Sequence, residues 1–184
     1  MAGFGAAKPP KTKAFNGKKT FEEQMRRYTE HRVEGYPPLN VVDMYVHRPD
    51  SSKFWFVGKV AARSGATDDY ALAAVVQKRL VLEHAKLLQP LDLGRSKTLE
   101  MWCAPANTEV SVAQKQQALR SLQGLKVPDA GVGALTLADV GFLPEQYDKE
   151  NKGFYVKLPN DGIPVEESKV KIVSPQEAEA TGLI

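Results

Sequence analysis

The sequence predicts an α+β fold, a small antiparallel sheet of order ββαβ packed on one long helix. Three observations predict it. Residues 40–47 and 53–61 are short apolar stretches joined by the turn sequence RPDSS, which is typical of a β-hairpin. Residues 67–88 then carry apolar side chains at helical spacing. Residues 96–103 alternate like a third strand and end before Pro105.

The composition limits the size and class of the fold. With 184 residues and 42% hydrophobic content, the chain can bury one core. No apolar run approaches the roughly 20 residues that a membrane helix needs. Cys103 is the only cysteine, which excludes an intramolecular disulfide and a cysteine-based zinc site and favours a reducing compartment.

The alternation within each strand predicts which side chains share a face. Val42, Met44 and Val46 fall on one face of the first strand. The second strand is apolar on both faces, and strict alternation places Trp55, like Trp102 of the third strand, on the face turned away from the helix. We expect these tryptophans to contact a partner if that face is open. The alternative is that the first helix or the tail covers it.

Residues 67–88 are expected to contribute most of the core. Thr67 or Asp68 can cap the helix, and Pro90 prevents its continuation. Burial of each aliphatic side chain on its apolar stripe is worth roughly 1.5–3 kcal/mol before entropy is subtracted. The stripe consists of Leu72, Val75, Val76, Leu80 and Leu87.

Two further helices are predicted beside this core. The first begins at Thr20, which forms a capping box with Glu23. The other begins at Asn107 or Thr108 and runs as a polar helix to Gln123.

The domain predicted at residues 20–125 lies between two arms of opposite charge. Residues 1–33 contain eight Lys or Arg against three Glu, whereas residues 128–184 contain five Lys against ten acidic side chains. Such asymmetry is typical of interaction tails, although both arms could simply be solvated. We expect residues 1–19 to be a disordered basic arm because they combine low hydrophobicity with high charge.

The basic arm is the first candidate for partner binding. Its lysines could contact an acidic protein face, acidic lipid headgroups or nucleic-acid phosphate. In a protein imported into an organelle, Met1 would stand near a processed start. The predicted contacts of the arm are Phe4, Lys8, Lys11, Lys13, Phe15, Lys18 and Lys19.

Residues 126–184 are predicted to form an acidic, Pro/Gly-rich extended tail. They contain five of the twelve prolines, and short strand-like pieces at residues 153–158 and 169–173 could add to a sheet edge. An irregular segment of this length favours an arm that becomes ordered on a partner. The alternative is a tail that packs over its own domain.

The sequence predicts no catalytic, cofactor or metal site. Cys103 is the one conceivable nucleophile, but it shares a strand face with Leu99 and Met101, which is typical of a buried small side chain. His31, His47 and His84 do not have the spacing of metal ligands. We therefore expect a protein that is not an enzyme and needs no cofactor.

A family resemblance gives a more specific expectation. The segments VDMYVHRPDSSKFWFVGKVA, DDYALAAVVQKRLVLEHAKLLQPL and KTLEMWCAPANTEV, within residues 41–115, resemble the Hypersensitive-to-High-Light proteins of plants and algae. The Lys-rich start AGFGAAKPPK is similar to the mature amino terminus of a plastid protein. The resemblance implies a thylakoid-associated auxiliary protein that helps maintain or assemble photosystem II. It carries no residue-level site onto this chain, and the lack of a convincing membrane helix in the sequence makes the expected attachment peripheral.

The expected function is therefore that of a non-catalytic auxiliary or assembly protein, bound peripherally to a photosynthetic membrane complex on the stromal side of the thylakoid. Its expected partners are protein subunits of that complex and an acidic lipid surface. The alternative is a basic RNA- or ribosome-associated protein of the organelle. A soluble cytoplasmic or stromal location is the second expectation.

Overall fold

The structure is a computed structural model that describes residues 17–35, 38–129, 131, 134–147 and 153–165. Its helices and strands in chain order are α1 (Gly17–His31), β1 (Val41–His47), β2 (Lys53–Ala62), α2 (Tyr70–Val76), α3 (Lys78–Leu88), β3 (Glu100–Pro105), α4 (Glu109–Ala113), β4 (Arg120–Ser121), β5 (Val140–Pro144) and β6 (Tyr155–Lys157).

The strands form one six-stranded antiparallel sheet in the order β4-β3-β1-β2-β5. The last strand, β6, pairs with the start of β2, beside β5 on the same edge. The α+β class is thus confirmed. The simple ββαβ order is not, because three further strands come from residues after 119.

Side chains of β1 and β3 alternate as predicted. Met44 and Val46 of β1 pack in the largest core cluster with Met101 and Cys103 of β3, beneath α2 and α3. We call this side of the sheet the helix face. Tyr45 points to the opposite side, where it packs in a separate cluster.

Strict alternation along β2 was a wrong prediction because the strand contains a bulge. Met44 pairs with Gly58 but Tyr45 pairs with Phe56, so Val57 is an extra residue. Gly58 has a φ of 138°, and a Cβ there would lie 2.3 Å from the backbone oxygen of Leu143. The bulge returns Val60 to the helix face, the same face that Val57 occupies.

The predicted single helix at residues 67–88 is two helices that meet at Gln77. This residue is buried, and its side-chain amide donates a hydrogen bond to the Gln24 side chain of α1. A buried side-chain amide is costly unless it has a hydrogen-bond partner. The break between α2 and α3 at Gln77 therefore depends on the packing of α1, which supplies Gln24. The cap is Asp69 rather than Thr67 or Asp68, since Asp69 accepts a hydrogen bond from the Ala71 backbone at 3.1 Å.

Helix α1 begins at Gly17 rather than Thr20 and packs mainly against β5. The contact depends on Gly141, because a Cβ at that position would lie 2.0 Å from the Tyr28 backbone nitrogen. Only glycine admits so close an approach between a helix and a strand.

Two predictions for the second half of the chain were wrong. The polar helix expected up to Gln123 is limited to α4, and its remainder includes β4. Much of the expected extended tail folds onto its own sheet as β5 and β6. The strand-like piece at residues 153–158 does add to the sheet edge, whereas the piece at 169–173 lies outside the described residues.

Residues 153–165, which we call the strap, cover the second side of the sheet. Backbone hydrogen bonds join Phe56 N to Phe154 O and Leu119 N to Gly162 O, each at 3.0 Å. We call the covered side the strap face. Its cluster of buried side chains comprises Tyr45, Phe54, Phe56, Trp102, Ala104, Val112, Leu119, Val156 and Leu158.

A candidate protein-binding groove

A concave surface lies where the start of β1 and the end of β3 approach the start of α2. It is a mostly apolar groove of about 360 Å³. Four separated segments line it, residues 38–42, 68–71, 103–106 and 117–120. A volume of this size accommodates one or two large side chains of a binding partner.

The groove has a buried floor of small side chains and an exposed apolar rim. Cys103, Ala104 and Ala106 are each at most 4% exposed. Leu39 on the rim is 82% exposed, the highest value among the large hydrophobic side chains of the described residues. Small floor residues leave depth for a partner side chain, and Leu39 offers apolar surface beside it.

An ion pair spans the rim of the groove. The Arg120 guanidinium donates two hydrogen bonds of 2.8 Å to the carboxylate of Asp69. These bonds lower the pKa of Asp69 below its ordinary value and raise that of Arg120. The pair is partly exposed, so it fixes the shape of the rim more than it stabilises the fold.

A buried cluster of charges holds the neighbouring loop in place. The Asp43 carboxylate accepts a hydrogen bond of 3.0 Å from the backbone N–H of Thr108 and lies 3.0 Å from Lys59 Nζ. Lys59 in turn donates to Asn107 at 2.9 Å and to Glu109 at 2.5 Å. This loop follows Pro105 and Ala106 directly, so the cluster supports one wall of the groove.

Burial shifts the pKa values of the cluster unequally. Desolvation raises the pKa of Asp43 to about 6, even though Lys59 opposes the shift. Desolvation is also the largest single effect on Glu109, but the hydrogen bond and charge of Lys59, together with further hydrogen bonds, outweigh it and lower the pKa of Glu109. For Lys59, the hydrogen bond to Glu109 and the charge of Asp43 outweigh desolvation and raise its pKa. Asp43 is thus the member that titrates nearest to neutral pH.

The thiol at the groove floor is unsuited to nucleophilic chemistry. Burial raises the pKa of Cys103 to about 11, so the thiol stays protonated at neutral pH. The three histidines each contact a backbone carbonyl, His31 that of Ala138, His47 that of Lys53 and His84 that of Glu145. Across the described ranges, no group of three or more His, Cys, Asp or Glu side chains could hold a metal ion.

The prediction that Trp55 and Trp102 share one face of the sheet was wrong. Trp55 lies on the helix face, because the bulge comes after it, and is 7% exposed, with its ring centroid 4.7 Å from that of Tyr155 of β6. Trp102 lies on the strap face and is 5% exposed beneath Gly162. The tail covers Trp102, which was the alternative expectation. Both indoles therefore stabilise the core.

The predicted contacts of the basic arm fall mostly outside the described residues. Phe4, Lys8, Lys11, Lys13 and Phe15 all lie there. Lys18 and Lys19 are exposed in the first turn of α1.

Sequence patterns did not predict the groove. No local pattern brings four separated segments together, because their meeting depends on the strand pairing of β1 with β3. The one available signal is the run Ala104-Pro105-Ala106, whose small side chains end β3 and leave open space.

Comparison with known proteins adds no relative. No family model matches the chain, and no curated protein or solved structure matches it significantly. No helix within the described residues is long and apolar enough to cross a membrane.

Proposed function

We propose that the protein is a non-catalytic auxiliary or assembly factor that holds an apolar segment of a protein subunit in the groove. The observation that carries the proposal is the apolar groove itself, with the exposed Leu39 at its rim and small buried side chains at its floor. Partner recognition concentrates its free energy in large side chains that enter such pockets. The inert Cys103 at the floor is consistent with binding rather than covalent chemistry.

The complex that we propose as the partner is a photosynthetic one at the stromal side of the thylakoid. This part of the proposal rests on the resemblance of residues 41–115 to the Hypersensitive-to-High-Light proteins. The partner segment is expected to bring one or two large apolar side chains, with a positive charge near the exposed Asp68 at the rim.

Co-purification after mild detergent extraction tests the proposal. Ala118→Trp places an indole in the groove at an exposed position, and Ala138→Trp is its control at an exposed position in a turn outside the groove. We expect the wild-type chain and the control to co-migrate with subunits of a thylakoid complex. Ala118→Trp should lose them while keeping its unfolding midpoint.

Two results would contradict the proposal. One is a wild-type protein found only as a free monomer in fractionated cells. The other is an Ala118→Trp variant that retains every partner of the wild-type chain. The RNA-binding alternative makes a separate prediction, that removing lysines 8, 11, 13, 18 and 19 flattens the salt dependence of RNA binding.

A further inference from the structure

The carboxyl end of α3 and the turn after it expose two leucines. Leu87 is 74% exposed and Leu91 is 79% exposed, and Pro90 between them is exposed as well. The two leucines are four residues apart in the chain, Leu87 in the last turn of α3 and Leu91 in the turn that follows it. They lie away from the groove, whose lining includes neither.

The turn that exposes Leu91 is held in place by a buried side chain and by hydrogen bonds. The next apolar residue, Leu93, is 1% exposed and anchors the turn in the core. Its backbone N–H donates to Gln89 O at 2.8 Å, and Arg48 donates to the Asp92 carbonyl at 3.1 Å. The same turn therefore buries one leucine and presents another to solvent.

Three basic residues lie in the same stretch of chain as the leucines. Lys86, Arg95 and Lys97 are exposed, and none forms an ion pair with another part of the chain that the structure describes. Lys86 and Lys97 line the same cleft, of about 440 Å³. Glu100 also lines this cleft, and it is the one acidic side chain there.

The acidic side chains of this stretch are already paired, Glu83 of α3 with Arg79 at 3.0 Å and Asp92 of the turn with Lys53. Asp92 lies 3.1 Å from Lys53 Nζ, and this ion pair reduces its effect on the basic residues. The stretch from residue 86 to residue 97 therefore combines two exposed leucines with three exposed basic side chains and one acidic side chain, which is paired.

We propose that Leu87, Leu91, Lys86, Arg95 and Lys97 form a surface that binds an anionic lipid bilayer. Protruding leucines enter the boundary between headgroups and acyl chains, and lysine and arginine side chains extend to the phosphates. A nucleic acid would use the positive charges but gains nothing from exposed leucines, so the pair of leucines favours lipid. The surface does not depend on the groove, and either can fail without the other.

Vesicle co-sedimentation of the full chain tests the proposal. The vesicles contain phosphatidylcholine alone or phosphatidylcholine mixed with phosphatidylglycerol. We expect Lys86→Gln/Arg95→Gln/Lys97→Gln to weaken binding to the mixed vesicles by about a hundredfold at low salt, since each basic residue near an anionic surface contributes about a fivefold effect. Leu87→Ser/Leu91→Ser should weaken it by about tenfold.

Matched controls separate this surface from net charge and from the basic arm. Lys78→Gln/Lys126→Gln/Lys157→Gln removes three exposed charges elsewhere, and Val110→Ser/Ile163→Ser removes two exposed apolar side chains elsewhere. Every variant keeps the five lysines of residues 8–19, so the contribution of that arm is constant. All changed positions are exposed, and equal urea midpoints would verify the fold.

The proposal requires that the two surface variants lose binding and that both controls retain it. If the surface triple variant and the Lys78→Gln/Lys126→Gln/Lys157→Gln control lose vesicle binding equally, the proposal is overturned, because net charge alone would then explain binding. If Leu87→Ser/Leu91→Ser binds the mixed vesicles as tightly as the wild-type chain does, and the wild-type chain binds single-stranded RNA equally tightly, the proposal is overturned in favour of nucleic acid. Absence of binding to the mixed vesicles at low salt would also overturn it.

Discussion

The two faces of the sheet are covered in different ways. The helix face is mainly aliphatic, and α2 and α3, which follow the hairpin directly in the chain, pack against it. The strap face is mainly aromatic, and its main cluster is covered by α4 and the strap, which come much later in the chain, while Tyr28 of α1 packs with Val41 and Ala61 in a smaller cluster. Local helical periodicity therefore predicts the first cover, whereas the second depends on contacts between distant segments.

Polar atoms are also satisfied differently on the two faces. On the strap face, Tyr45 Oη, His47 Nε2 and Trp102 Nε1 are buried without a hydrogen-bond partner among the described residues. On the helix side, Gln77 Oε1 is in the same condition, although the amide nitrogen of that side chain is bonded to Gln24. Each buried polar atom without a hydrogen-bond partner destabilises the fold by about 1–3 kcal/mol, so this destabilisation is larger on the strap face.

The largest effects are expected from removing one buried ring on each face. Phe142 on the helix face and Phe54 on the strap face are both fully buried. Phe142→Ala and Phe54→Ala should each lower the free energy of unfolding by about 3–5 kcal/mol, as measured by urea denaturation. A loss below about 1 kcal/mol for Phe54→Ala alone would mean that the strap is not part of the cooperative core.

The charged part of the strap face predicts a pH dependence. The pKa of Asp43 is raised from 3.8 to about 6 in the folded state, so the folded state binds more protons than the unfolded chain between these values. The contribution of Asp43 to stability is therefore highest below pH 4 and declines as the pH rises to about 6, by up to about 3 kcal/mol. Asp43→Asn should remove this decline from the unfolding free energy measured against pH.

Asp139 is the control with the opposite sign. The hydrogen bond from Arg63 lowers the pKa of Asp139 to about 2, so its contribution is present above pH 4 and is lost as the pH falls toward 2. Asp139→Asn should remove about 1 kcal/mol because Arg63 is largely exposed. If Asp43→Asn and Asp139→Asn changed the pH dependence of the unfolding free energy in the same way, the raised pKa that burial gives Asp43 would be contradicted.

The smallest effect is expected from deleting one hydroxyl. Tyr45 is fully buried, and burial raises the pKa of its hydroxyl. Because no described residue pairs with the hydroxyl, Tyr45→Phe should stabilise the fold by about 1 kcal/mol in thermal or urea unfolding. A loss of stability of that size would show that the hydroxyl has a partner. Phe56→Leu, beside it, measures the cost of changing ring packing alone.

The comparison also explains which parts of the fold the sequence could predict. The faces of Met44, Val46, Met101 and Cys103 followed from simple alternation, because β1 and β3 are regular. Trp55 was placed on the wrong face because a bulge at Gly58 interrupts β2, and a glycine within an apolar strand gave the only signal. The piece at residues 153–158 was predicted as an addition to a sheet edge and contains β6, whereas no pattern predicted β5, which is short and flanked by turn residues.

The groove was beyond sequence prediction for a related reason. Leu39, Ala71, Cys103 and Ala118 are far apart in the chain, and only the pairing of β1 with β3 and the position of α2 bring them together. Patterns within one segment predict which side of an element is buried. They do not predict where three elements leave a space.

Site-specific photo-crosslinking from Leu39 tests the central claim most directly. A photoreactive side chain at Leu39 on the groove rim is compared with one at Ile163, which is also exposed but lies on the strap. In native membranes, the account predicts that Leu39 crosslinks a subunit of a membrane complex, that Ile163 does not, and that Ala118→Trp abolishes the Leu39 product. Identical crosslinks from both positions, or a Leu39 product that persists in Ala118→Trp, would contradict it.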